Sequence, residues 1–233
     1  MKRLSSVVDF CVIQYPGRGS RIHEQAFTSL DPLIEELTEA ILPSLDRPFI
    51  FFGHSMGALV SFELTHSLLR KHGITPNHLV LSGHNAPQLP RDLPDIWQCP
   101  DDEFIEHIRS WNGIPDEIWS NQEMVDIILP VLRADVTLCE TYLYTERESL
   151  PCPITIFGGE SDPLVSRENL EKWDIHTSGS FEIEIFPGDH FFIHQNEEMV
   201  LNSLQRLIKS GERSIDQSKD QSSNFYAWSS KKA

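Results

Sequence analysis

The sequence predicts an α/β fold: a mostly parallel sheet with helices on both faces. Three observations carry that prediction. Short β-rich apolar runs alternate with amphipathic stretches along most of the chain. One run, Phe49-Ile50-Phe51-Phe52, is apolar without interruption and too short for an ordinary helix, which suits a strand buried on both faces. The chain has 233 residues, 39% of them apolar, enough to bury a sizeable core.

The elements follow in order. Val7-Val8-Asp9-Phe10-Cys11-Val12-Ile13 reads as a first strand, ended by Pro16-Gly17-Arg18-Gly19. Asp31-Pro32 reads as a helix start, because Asp caps free N–H groups and Pro suits the first helical position. Leu33, Ile34, Leu37 and Ile41 then recur at helical spacing. After the run at 49–52 comes a helix over 56–71, with Leu59, Val60, Leu64 and Leu68 on one side. His78-Leu79-Val80-Leu81 is a further strand. Residues 87–147 break the rhythm: Pro87, Pro90, Pro94 and Pro100 introduce a helical insert with no clear strand. Strands resume over 153–157 and 181–186, and a helix over 197–209 closes the fold. The domain is thus expected over 1–210. Residues 211–233, polar except for Phe225, Tyr226 and Trp228, read as a disordered tail.

Composition excludes several functions. Lys and Arg number 19 against 35 Asp and Glu, a net charge of −16. Nucleic-acid binding needs clustered cations to displace counterions, and anionic membranes attract basic segments, so neither partner is expected. No apolar run approaches the roughly 18 residues of a membrane span. The four cysteines, Cys11, Cys99, Cys139 and Cys152, are far apart and include no CxxC, as expected of reduced thiols in a cytoplasmic protein. Lys2 and Arg3 precede an apolar stretch, but Asp9 interrupts it and Gln14-Tyr15-Pro16 replaces a cleavage site, so no targeting segment is expected.

The chemistry centres on Gly53-His54-Ser55-Met56-Gly57, a G-x-S-x-G motif between a buried strand and a helix. That context makes it a nucleophile elbow: a sharp turn presents Ser55, and small residues at 53 and 57 let strand and helix approach. The Met56 backbone N–H is the expected oxyanion donor, at a helix N-terminus that favours negative charge. A serine hydroxyl is a weak nucleophile and needs a base. In elbow folds the chain order is serine, acid, histidine. Asp162 follows the strand at 153–157 and His190 follows the strand at 181–186, so all three end strands on one rim. His190 is the expected base, and Asp162 the group that fixes its tautomer and stabilises its cation.

The rivals rank lower. Asp189 adjoins His190, and adjacent residues rarely face each other correctly. Glu160 reads as a solvated loop residue. His190 and His194 are spaced i, i+4, but Phe191 stands where a zinc site of that spacing has its glutamate, so no metal is expected, and no cofactor. His54 reads as a packing residue of the elbow, His72, His78 and His84 as loop residues, and Cys11 as inert core. Arg18 reads equally as a substrate or partner contact and as a surface loop arginine.

The chain resembles the type II thioesterases of nonribosomal peptide and polyketide synthesis, in the α/β-hydrolase superfamily. The resemblance rests on Gln14-Tyr15-Pro16-Gly17-Arg18, on Gly53-His54-Ser55-Met56-Gly57-Ala58, and on Ser82-Gly83 followed by Ala86-Pro87. It extends through Asp102-Glu103-Phe104, Leu129-Pro130-Val131-Leu132-Arg133-Ala134-Asp135, Gly158-Gly159, Asp162-Pro163 and Gly188-Asp189-His190-Phe191-Phe192. It implies hydrolysis of acyl groups from the phosphopantetheine arm of acyl or peptidyl carrier proteins, often to clear stalled units. It carries the catalytic roles to Ser55, Asp162 and His190. It makes the insert at 87–147 a lid over the acyl chamber. The phosphopantetheine belongs to the partner, and the enzyme is expected to act as a monomer. Carrier proteins tend to be acidic, so one is attracted only through a local basic surface, for which Arg18, Arg21 and Arg91 are candidates. Two alternatives share these residues: a small-ester hydrolase, and a truncated, inactive carrier-binding homologue.

The resemblance also implies an upstream strand and a loop of the type Phe-Pro-Tyr-Ala-Gly-Gly, which supplies a second oxyanion N–H. That strand would lie between those at 7–13 and 49–52. Here residues 1–5 fall where the family is already inside a helix. Met1 is therefore expected to be an internal methionine of a longer protein.

Overall fold

A computed structural model describes residues 8–91 and 94–210. The expectations for residues 1–7 and for the tail at 211–233 lie outside the described residues.

Four strands form one sheet: β1 (Ile50–His54), β2 (His78–Ser82), β3 (Ile154–Gly159) and β4 (Phe181–Phe186). They lie in the order β1-β2-β3-β4, and every pair is parallel. Register pairs Phe52 with Val80 and Val80 with Thr155, so alternate residues of neighbouring strands share a face. One face presents Phe51, Leu79, Leu81, Ile154 and Ile156 to the main core. The other presents Val80, Phe157 and Phe186 to a second cluster with Phe192, Val200 and Leu207.

Helices cover both faces. α1 (Leu30–Ile41) and α2 (Met56–His72) bury Leu33, Leu37, Leu59, Phe62 and Leu64 in the main core. α1 begins at Leu30 and not at the expected Asp31-Pro32 cap. Ser29 occupies the N-cap position, and Asp31 lies in the first turn, where its charge faces free N–H groups. α2 ends at Gly73, whose N–H bonds the Leu69 carbonyl and whose φ of 66° turns the chain so that the Ile74 N–H reaches back to the Leu68 carbonyl.

Between β2 and β3 lie α3 (Asp101–Ser110), α4 (Asp116–Trp119) and α5 (Gln122–Glu140), the expected helical insert. It has its own small core of Ile96, Phe104, Ile108 and Val136. Arg133 stacks over the Phe104 ring and bonds the Trp97 carbonyl and the Asp101 carboxylate, tying α5 to α3. After β3 come α6 (Arg167–Glu171) and a 3-10 turn, Lys172–His176, whose Trp173 joins the main core. After β4 come α7 (Phe192–Gln195) and a helix, α8, over 197–210.

The first expected strand is a correction. Residues 8–13 form no strand, and Phe10 and Val12 are 48% and 75% exposed. Alternating apolar residues make a segment fit to be a strand, but a strand also needs a neighbour to satisfy its backbone groups. Among the described residues none pairs with this segment, and β1 is an edge of the sheet. Cys11 is accordingly exposed, not inert core.

Candidate active site

Parallel strands place their carboxyl ends on one rim, and the site is assembled there. Ser55 stands between β1 and α2 with φ 53° and ψ −121°. A non-glycine residue in that region carries strain of order 1–3 kcal/mol, offset by the surrounding packing. The turn is held by a bond from the Ser55 N–H to the Ser82 carbonyl, 2.7 Å, and by a bond from the Ala58 N–H to the Ser55 carbonyl. A Cβ on Gly53 would overlap the Gly57 carbonyl, so the strand and helix approach closely because residue 53 has no side chain. Among the described residues, a Cβ on Gly57 would meet nothing within 4 Å. The expectation that both glycines are needed for close approach is thus corrected for Gly57, which contributes its backbone.

His190 follows β4 and reaches both partners. Its Nε2 lies 3.0 Å from Ser55 Oγ, and its Nδ1 lies 2.8 Å from Asp162 Oδ2. The side chains of His190 and Asp162 are 4% and 1% exposed. The other Asp162 oxygen accepts the Leu164 N–H at 2.8 Å, which fixes the carboxylate. Met56 is the first residue of α2, so its N–H belongs to the turn whose donors lack intrahelical partners. These are the contacts that a nucleophile, a base and an orienting acid require.

The rivals fall elsewhere. Asp189 Oδ1 accepts the Phe191 N–H at 2.9 Å and bonds Gln195, so it holds its own loop. Glu160 is exposed, as is His194. His72 ends α2 near Glu39. His78, given both as the start of the strand at 78–81 and as a loop residue, follows the first reading: it lies buried in β2, its Nε2 2.7 Å from Thr155 Oγ1 on β3. Burial holds it below its ordinary pKa.

His54 packs beside the site. Its Nδ1 lies 2.9 Å from Ser82 Oγ, and its ring centroid is 5.1 Å from that of His190. Burial, then the neighbouring His190, lowers its pKa from 6.5 to about 3, so it is neutral near pH 7. Burial likewise lowers His84 to about 4. Gly83, with φ 60°, closes the same corner: a Cβ there would lie 2.8 Å from His54 and 3.3 Å from His190.

Arg18 is neither a free surface arginine nor directed to an open site. It grips Asp135 of α5, with Nη1–Oδ2 2.8 Å and Nη2–Oδ1 2.6 Å. Both side chains help line a cavity of about 10 Å³ with Tyr15, Met56 and Leu138. Arg21 bonds Glu24 and Glu36, and Arg91 bonds Glu140 and pairs with Asp95. The three candidate cations are therefore already matched to carboxylates and form no open basic surface. Asp135, Ser82 and the Gly83 corner were given no role by sequence reasoning. Their one signal is membership of the family-like stretches 82–83 and 129–135.

The fold and rim define an α/β-hydrolase arrangement. The chain belongs to the thioesterase domain family, whose model matches residues 1–208, and is a hydrolase by that membership. It is 45% identical over 212 residues to "Linear gramicidin dehydrogenase LgrE" of Brevibacillus parabrevis, covering 90% of this chain and 81% of that one. It is 43% identical to gramicidin S biosynthesis protein GrsT of Aneurinibacillus migulanus, covering 87% and 79%. Among solved structures it is similar to RedJ, the thioesterase from the prodiginine biosynthetic pathway in Streptomyces coelicolor. The TM-score there is 0.78 at 37% identity, covering 84% of this chain and 78% of that one.

Proposed function

We propose that this chain is a serine thioesterase that hydrolyses acyl groups from the phosphopantetheine arm of an acyl or peptidyl carrier protein. It would serve editing or release in nonribosomal peptide or polyketide synthesis. The observation that carries this reading is the Ser55–His190–Asp162 relay on a strand–turn–helix elbow, in a chain of the thioesterase family. The names of GrsT and RedJ point to the same setting.

The reaction has two halves. His190 Nε2 takes the Ser55 proton as Oγ attacks the thioester carbonyl carbon. Negative charge on the carbonyl oxygen is met by the Met56 N–H. Collapse of the adduct breaks the C–S bond, and the leaving sulfur takes the proton from His190. A water then attacks the acyl-Ser55 ester with His190 as base; collapse breaks the C–Oγ bond, His190 returns the proton to Ser55 Oγ, and the free acid leaves. Asp162 accepts from His190 Nδ1–H throughout and stabilises the imidazolium. The insert over 87–147 acts as a lid over the acyl chamber. Four unpaired thiols fit a reduced, cytoplasmic setting.

The relative named as a dehydrogenase prompts a second reading, hydride transfer. The turn from β1 into α2 is Gly53-His54-Ser55-Met56-Gly57, and not the G-x-G-x-x-G that brings a dinucleotide pyrophosphate onto a helix N-terminus. The hydrolytic reading is preferred on that ground.

The test is hydrolysis of an acyl-phosphopantetheinyl carrier protein by the chain and by Ser55→Ala. Hydrolysis abolished by Ser55→Ala supports the proposal. Faster turnover of simple oxoesters than of carrier thioesters would favour a small-ester hydrolase. Carrier binding without turnover, and without fluorophosphonate labelling of Ser55, would favour an inactive homologue.

A further inference from the structure

Phe191 stands between the insert and the His190 ring. It meets His190 edge-on, with centroids 5.1 Å apart and planes at 88°. Its ring also lies 5.9 Å from that of His54 and 6.3 Å from that of His194, nearly parallel to the latter. Its backbone N–H is fixed by Asp189. The far end of the ring rests on Gly113, in the loop between α3 and α4. A Cβ there would overlap Phe191 Cζ and Cε2 and lie 3.0 Å from Cε1. The backbone of Gly113 is outside the left-handed region, so alanine is conformationally tolerated and its one consequence is that contact.

We infer that Phe191 is a positioning residue through which the seat of the insert sets the ring of His190. The imidazole must point Nε2 at Ser55 and Nδ1 at Asp162 at once, and only its in-plane contacts are hydrogen bonds. Aromatic and backbone neighbours fix the ring against tilt. His54 and the Gly83 backbone border it, and Phe191 packs edge-on against it. Phe191 in turn is held in place by the insert. With the insert seated, the relay is aligned. With the insert lifted, the Phe191 ring loses its stop and the His190 ring is free to tilt. Substrate enclosure and activation of Ser55 are thereby one event.

This inference rests on the proposed roles of Ser55 and His190. The experiment compares the chain with Gly113→Ala, Phe191→Leu and the double variant. It measures the rate of fluorophosphonate labelling at Ser55, kcat and KM on acetyl-pantetheine, and the melting temperature. Displacement of a reacting group by about 1 Å can cost on the order of 100-fold. Gly113→Ala is therefore expected to slow labelling and kcat together by about 10- to 100-fold, with KM and melting temperature kept. Phe191→Leu has a shorter side chain that leaves room for the added methyl group, so the double variant is expected to label faster than Gly113→Ala alone. Relief of the overlap gives rescue in either case, and KM separates the two: a tilted His190 leaves KM unchanged, whereas an insert displaced from its seat raises it. Labelling of Gly113→Ala at the wild-type rate, or a double variant no faster than it, overturns the inference. A wild-type chain that is not labelled at Ser55 overturns the relay itself, and the inference with it.

Discussion

The guanidinium of Arg18 bonds both carboxylate oxygens of Asp135, at 2.8 and 2.6 Å, across 117 residues of chain. One partner lies in the loop before α1 and the other on α5, so the pair fastens the insert to the body of the sheet domain. Each side chain is only about a quarter exposed, at 29% and 23%, so solvent screens the pair incompletely.

Breaking this fork is expected to loosen the insert without unfolding the sheet. Asp135→Asn leaves the guanidinium short of a charged acceptor, at a cost of about 1–3 kcal/mol. Arg18→Lys keeps the charge but loses the two-pronged fit, so it is expected to rescue little. Limited proteolysis within α3–α5 should quicken in Asp135→Asn, while thermal unfolding of the main core shifts by a few degrees. Unchanged cleavage within the insert would show that the pair does not hold it.

The proposed orienting acid gives a sharper contrast. Asp162 receives His190 Nδ1–H, whereas Asp189 binds the Phe191 N–H and Gln195. Asp162→Asn is expected to lower kcat by on the order of 10⁴, because the amide favours the wrong tautomer of His190. Asp189→Asn keeps an oxygen for the Phe191 N–H and is expected to cost less than about tenfold. Steady-state kinetics on one thioester compares them. Equal losses would mean that Asp162 is not the partner of His190.

The strands and α2 were legible because each is a short apolar run or a helical repeat bounded by Gly, Pro or Asn. The meeting of Ser55, Asp162 and His190 on one rim was legible because a parallel sheet collects its carboxyl ends. Pairings between distant segments were not. Nothing periodic links Arg18 to Asp135 or Gly113 to Phe191. His78 opens an apolar run whose pattern does not show that its polar side chain is buried; Thr155 on the next strand gives it a buried partner. The segment at 8–13 failed for the converse reason: its pattern suits a strand, and pattern alone does not supply a neighbour.

Acid should weaken the fold well above carboxylate pH. His54 and His66 are lowered to about 3 and His84 and His176 to about 4, in each case chiefly by burial. In the unfolded chain these groups take up protons near pH 6.5. Between that pH and about 4 the unfolded state binds more protons than the folded one, so stability falls as pH falls. Each histidine that stays neutral contributes a slope of about 1.4 kcal/mol per pH unit in that window. Urea midpoints at pH 7.5, 6 and 5 are expected to decline steadily, and His84→Gln to flatten the decline. A midpoint constant down to pH 5 would contradict the buried, neutral assignment.

The two glycines of the elbow should respond oppositely to the same change. A methyl group on Gly53 would overlap the Gly57 carbonyl and lie 2.6 Å from Ser61 Oγ, and backbone in a strand–helix junction cannot yield as a side-chain tip can. Gly53→Ala must therefore spread β1 from α2, displacing Ser55 or preventing folding. Overpacking of this kind costs about 1–3 kcal/mol or more. Gly57→Ala adds its methyl where none of the described residues stands, at the second position of α2, where alanine also gains about 1 kcal/mol in helix propensity. It is expected to keep labelling of Ser55 and to hold or raise the melting temperature. Soluble yield, melting temperature and fluorophosphonate labelling of the two variants side by side check this. A Gly57→Ala chain that loses labelling as Gly53→Ala does would mean that the space above residue 57 is not open.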